Sequence, residues 1–130
     1  MPQTLSLDGH RIDGIATFYD EVNRVFMAGE DWALGHSLDA FNDMLYGGYG
    51  ALADEGPVTL VWTAFARSRQ VLGADATRAW LQAKLEPPGR YDTARIQREL
   101  DALGAGTGPT FFELVLEILA THPRITLGPR

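Results

Sequence analysis

Gly35-His36-Ser37-Leu38-Asp39-Ala40-Phe41-Asn42-Asp43-Met44-Leu45 is the stretch on which the reading of this 130-residue chain turns. Ser37 has the hydroxyl of a good N-cap, able to accept from an orphan backbone N–H two or three residues on. Leu38, Phe41 and Leu45 then recur at helical spacing and line one face. Asp39 and Asp43 are four apart, so they share another face. Asp39 lies in the first turn, where the helix dipole favours a negative charge, and Asp43 receives less of that help. Like charges at this spacing cost a few tenths of a kcal/mol, so the pair is cheap to keep.

The charge pattern around this helix is one-sided. No Lys or Arg occurs between Arg24 and Arg67, while Glu30, Asp31, Asp39, Asp43, Asp54 and Glu55 all fall in that window. Six carboxylates equal the whole formal net charge of −6, so the acidity is local. A local field of this kind attracts a cationic partner. It argues against direct nucleic-acid binding, which needs clustered Lys and Arg. The chain has no cysteine, which excludes disulfides, thiolate catalysis and Cys-based zinc sites. No apolar run approaches the roughly 18 residues of a membrane span, and Met1-Pro2-Gln3-Thr4-Leu5 does not begin a signal peptide. The expectation is a single-domain cytoplasmic protein that does not bind membranes.

Outward from the helix, the pattern alternates between strands and helices. Leu5-Ser6-Leu7 reads as a short strand closed by Asp8-Gly9. Ile15, Phe18, Val22, Val25 and Phe26 predict an amphipathic helix from about Asp13 to Ala28, with Asp13 or Thr17 as cap and Gly29 as stop. Gly47-Gly48-Tyr49-Gly50 opens a loop, and Val58-Thr59-Leu60-Val61-Trp62 reads as a buried strand. Helical patterns follow at about Ala64–Leu72 and Asp75–Leu85, and Pro87-Pro88-Gly89 breaks the chain. Asp92 or Thr93 caps a helix through Leu103. Thr110 and Glu113 form a capping box for another, which His122-Pro123 stops. Ile125-Thr126-Leu127 is the last strand. Helical crossovers between short apolar strands predict an α/β fold, a small three-stranded parallel sheet packed with helices.

The residues also carry less specific chemical readings. His36, Asp39 and Asp43 have i, i+3, i+7 spacing, yet with no obvious fourth ligand they read as a cap neighbour and two surface acids rather than a metal site. Paired carboxylates can do acid–base catalysis when burial separates their pKa values, but nothing in the sequence marks a substrate pocket. His10, His36 and His122 lie outside any nucleophile-elbow context, and Gly104-Ala105-Gly106-Thr107-Gly108 lacks the lysine of a phosphate loop. No cofactor is implied. Trp32, Phe41, Tyr46 and Tyr49 are core or loop anchors by default, but acids interleaved with aromatics and glycines are also the make-up of a protein-binding rim.

Leu7-Asp8-Gly9 and the run from Trp32 to Leu45 together resemble the barstar family of intracellular inhibitors of barnase-like ribonucleases. The run is similar to that family's Tyr/Trp-x-Gly-x-Asn-Leu-Asp-Ala-Leu-x-Asp-x-Leu signature. Leu60-Val61-Trp62 resembles its second strand, and Leu116-Glu117-Ile118 through Ile125-Thr126-Leu127 its last helix and strand. The stretch from about 85 to 109 looks like an insertion into a single domain. The resemblance implies an inhibitor rather than an enzyme, which blocks a basic extracellular or toxin ribonuclease with an acidic helix. It implies that Asp39, Asp43 and Glu117 meet the cationic centre, with Asp43 dominant. Gly35, Ser37, Leu38, Asn42, Tyr46, Gly47 and Tyr49 then shape the contact. Ser37 stands where the family commonly has Asn, and Asn42 where an aromatic is frequent. The alternative reading is a module with the same fold that neutralises or regulates a basic partner other than a ribonuclease.

Overall fold

The three apolar runs pair into one parallel sheet. In the computed structural model, which describes residues 3–86 and 92–130, strands β1 (Gln3–Asp8), β2 (Val58–Thr63) and β3 (Ile125–Pro129) lie in the order β1-β2-β3. Leu5 is level with Leu60, and Leu60 with Leu127. Each strand extends a residue or more beyond its apolar run. In β2, Val58, Leu60 and Trp62 are fully covered, while Thr59, Val61 and Thr63 are only partly so. The central strand thus has one sealed and one half-open face, not the two sealed faces that its continuous apolar run predicts.

Among the described residues six α-helices accompany the sheet: α1 (Ile15–Phe26), α2 (Leu38–Leu45), α3 (Phe65–Val71), α4 (Ala74–Ala83), α5 (Thr93–Gly104) and α6 (Phe111–Ala120). The start of α1 differs from expectation. Gly14 is the N-cap, and the Thr17 hydroxyl accepts from the N–H groups of Asp13 and Gly14 at 2.7 and 3.0 Å. The helix also ends at Phe26, before Gly29 can act as its stop. The other caps form as read. Asp92 accepts from Arg95 N–H at 3.1 Å, and Thr110 and Glu113 exchange the two bonds of a capping box. The expected break at Pro87-Pro88-Gly89 lies outside the described residues.

The core is built around Phe18 of α1. Its ring meets Phe41 of α2, Trp62 of β2 and Phe111 of α6 at centroid distances of 5.6, 6.1 and 5.6 Å. Trp62 is fully buried, so its indole N–H needs a partner, and the buried Ser68 hydroxyl accepts it at 2.9 Å. Gly9 follows β1 where a Cβ would lie 2.1 Å from Thr63 O, which explains the glycine of the Leu7-Asp8-Gly9 turn. A carboxylate closes the same corner. Glu21 of α1 is buried, yet it accepts Asp8 N–H at 2.7 Å and a two-pronged bond from Arg24 at 2.7 and 2.6 Å.

The stretch from 85 to 109 contains α5, which packs on α4 rather than on the sheet. Leu81, Ile96 and Leu103 form a separate small cluster, and Trp80 bridges it to the main core. The packing unit is therefore a helix pair that reaches back to Ala74. Thr77 ties that pair to the rest: its hydroxyl donates to Gly73 O and accepts Phe111 N–H, both at 2.7 Å. Among the described residues no helix is long and apolar enough to cross a membrane.

Candidate protein-binding face

The loop before α2 is held from below by side chains. Asn23 of α1 accepts Leu34 N–H at 2.6 Å and donates to Leu34 O at 3.2 Å, so one amide grips both backbone groups of one residue. Leu34 is buried, which fixes the loop's depth. Glu30 accepts Gly50 N–H at 2.7 Å and binds this loop to the one after α2. Gly50 has φ +62°, and a Cβ there would lie 2.3 Å from Phe26 O, so only glycine fits. Glu30 thus has a structural bond as well as a share in the local field. The ring of Trp32 rests against Tyr49 at 5.1 Å, leaving Trp32 48% exposed.

On this base α2 begins with the expected cap, Ala40 N–H donating to Ser37 Oγ at 3.0 Å. Phe41, Met44 and Leu45 are buried, and Leu38 is half-buried against the same core. Asp39 and Asp43 are exposed, and neither has an ion partner among the described residues. They face different surroundings. Asp39 lines a cleft toward α4 and α5 and stands near Tyr19, whose phenol is pushed up first by burial and then by that carboxylate. Asp43 stands near Tyr49, whose phenol is raised by burial and then by Asp43. His36 turns away from both acids. Its ring stacks on Tyr19 at 4.9 Å, and its Nε2 lies 3.9 Å from Asp20 Oδ1.

The other expected residues divide into exposed side chains and supporting ones. Tyr46 is 72% exposed, its ring edge-on to His122 at 4.7 Å. Glu117 is exposed on α6, the helix that packs against α2, and has no ion partner among the described residues. Gly35 is exposed, and its carbonyl accepts Ser37 N–H at 2.9 Å. Gly47 has φ +95° and lies close over Leu52 O, so it shapes the turn. Asn42 is half-buried, its amide oxygen 2.7 Å from Nε2 of the buried His122. That bond attaches α2 to the α6–β3 junction. Tyr49 is partly buried beneath Trp32. Trp32, named in the sequence only as one of the aromatics among the acids, is thus as exposed a part of this face as the residues expected to shape it.

A capped helix with two carboxylates that have no ion partner among the described residues, bordered by exposed Trp32 and Tyr46 and set on an anchored loop, has the make-up of a protein-binding rim. The family described as Barstar (barnase inhibitor) matches residues 3–103, and the chain belongs to that family. No curated protein matches the chain at a significant level. The family match runs from β1 into α5, so it contains α2 and its loop. Helix α6 and β3 lie beyond it, and Glu117 is included in the candidate face by its position beside α2.

Proposed function

We propose that this protein is an intracellular inhibitor of a barnase-type ribonuclease, and that α2 and the loop before it cover the enzyme's active site. The observation that carries this reading is the pair Asp39 and Asp43, exposed and without cationic partners on a capped helix in a chain of the barstar family. A ribonuclease holds RNA phosphates with cations, and a carboxylate presented to such a centre can take the phosphate's place. Arg–carboxylate bonds are short, often two-pronged and roughly twice as strong as neutral ones. The one-sided acidic window steers a basic enzyme toward this face and raises the encounter rate. Trp32 and Tyr46 flank the acids and exclude water once the surfaces meet, the condition under which a charged contact becomes a binding hot spot. In this reading Asp43 dominates, Asp39 and Glu117 assist, and the protein performs no catalysis of its own. In this reading the stretch from about 85 to 109 is an insertion into the inhibitor domain.

Titration against barnase-type ribonucleases tests this. Wild-type protein is expected to abolish RNA cleavage by at least one of them at micromolar concentration or below, and Asp43→Ala to release it. If no such enzyme is inhibited and affinity capture returns a basic protein without RNA-cleaving activity, held through Asp43, the partner is of another kind. The chain is then a neutralising module on the same fold.

A further inference from the structure

Beside α2 a cleft of about 840 Å³ opens toward the α4–α5 pair. Leu38, Trp80 and Leu114 give it apolar lining. Its charged lining is unevenly divided: Asp39 stands on the α2 side, while Lys84, Arg95, Arg98 and Glu99 come from the α4–α5 side. Arg95 is joined to Glu99 at 3.4 Å, and Arg98 has no ion partner among the described residues. The Lys84 ammonium lies 3.8 Å from the centre of the Trp80 ring, half-desolvated, and it feels Glu99, Arg95 and Asp39. Thus a cluster of cations lies across this cleft from Asp39.

Asp39 belongs both to the binding face and to the cleft, so the two are continuous. Once Asp39 turns to a cation of the partner, Glu99 is the one carboxylate left in this lining, and it is already joined to Arg95, so Arg98 has no anion there. A partner that supplied only positive charge would be repelled there. We propose that the cleft is a second arm of the binding face and takes a segment of the ribonuclease that carries a carboxylate beside an apolar side chain. The inference rests on the inhibitor reading and adds a selection rule to it. The cognate enzyme offers a cation to Asp43 and an anion to Arg98.

The experiment is an affinity titration of the full chain with a panel of catalytically impaired barnase-type ribonucleases. Wild type, Arg98→Glu and Asp43→Ala are compared, with thermal unfolding run on each variant. Arg98 is exposed on α5, so its replacement leaves the fold intact. Arg98→Glu is expected to weaken the tightest binder about tenfold or more, the scale of a close interfacial charge pair. Reversing the matching Asp or Glu on that enzyme to Lys is expected to restore binding. Asp43→Ala is expected to weaken every binder in the panel. If Asp43→Ala weakens binding while Arg98→Glu leaves it unchanged or tightens it, the cleft is no part of the interface and the inhibitor reading stands alone. If no panel member binds wild type, both readings fall. Two other results also overturn the cleft proposal: a dimer abolished by Arg98→Glu, and inorganic phosphate held at Arg98 with no effect on ribonuclease affinity. They assign the space to a second copy of the chain or to a small anion.

Discussion

The buried acid of α1 and the acids of α2 are treated in opposite ways. Glu21 is 2% exposed, and its two oxygens receive Asp8 N–H and both prongs of Arg24, with Arg11 Nε a further 3.5 Å away. Taking a carboxylate out of water costs several kcal/mol unless charges and hydrogen bonds replace the water, and here they do. Asp39 and Asp43 are one helix further along, exposed, with no arginine or lysine in the surrounding window of sequence. Two of the cations nearest that window in sequence, Arg11 and Arg24, are directed to a single buried group. A carboxylate that the fold needs is surrounded by donors, whereas one left for a partner is kept clear of them.

The largest effect should come from breaking the first region. Glu21→Ala leaves Asp8 N–H and the half-exposed Arg11 and Arg24 without their acceptor, and it should cost about 2–3 kcal/mol of stability. Denaturant unfolding measures this, and the molecules that remain folded should bind the partner as before. Unchanged stability with lost binding would reverse the roles assigned to the two regions. Next in size is Asp43→Ala, with the opposite profile. Binding should weaken by about 2 kcal/mol or more, roughly thirtyfold, while stability should move by less than about 0.5 kcal/mol. Asp39→Ala should weaken binding less than Asp43→Ala, because Asp39 faces a cleft that also holds Lys84, Arg95 and Arg98, so a partner's cation adds less there.

The two regions were not equally legible in the sequence. The α2 face could be read because its signals are local: a Ser cap, a helical apolar stripe and a window without cations. The same holds for the strands and for the Thr110–Glu113 capping box. Glu21 could not, because it sits between Phe18 and Val22 on a stripe that reads as apolar. What permits an acid there is Arg24 one turn on, completed by Asp8 N–H and Arg11, which the end of β1 and the turn after it bring close. Asn42 and His122 are 80 positions apart, and no spacing rule connects them. The cleft was hidden for a related reason. The helix pattern after Ala74 is plain, but that α4 and α5 enclose one space with α2 follows from how Trp80 and Thr77 dock on Phe111.

The Asn42–His122 contact lies between the two extremes, polar and part-buried within the fold yet next to Asp43. Burial pushes the His122 imidazole below its ordinary range, so folding favours the neutral form. The unfolded chain then takes up a proton at a higher pH than the folded one does. Stability from this site is therefore complete above about pH 6.5 and declines as pH falls through the range below it. Unfolding midpoints measured from pH 7.5 to pH 5 should show that decline, and His122→Gln should lessen it. Asn42→Ala at neutral pH strands the imidazole N–H and should cost about 1–3 kcal/mol. A matching loss of affinity beyond the stability change would move Asn42 into the contact surface.

Ser37 gives the smallest effect and the cleanest separation of support from contact. Its hydroxyl satisfies Ala40 N–H, and losing that cap in Ser37→Ala should cost about 1 kcal/mol of stability. Asn caps a helix about as well as Ser, so Ser37→Asn should leave the unfolding midpoint nearly unchanged. Asn is also the residue common at this position in the barstar family. Affinity measured on the Asn variant therefore reports on contact alone, with the cap held constant. If Ser37→Ala lowers stability and neither variant alters affinity, Ser37 belongs with Glu21 among the residues that hold the fold. If Ser37→Asn changes affinity at equal stability, the side chain faces the partner, and this position helps determine which ribonuclease the protein accepts.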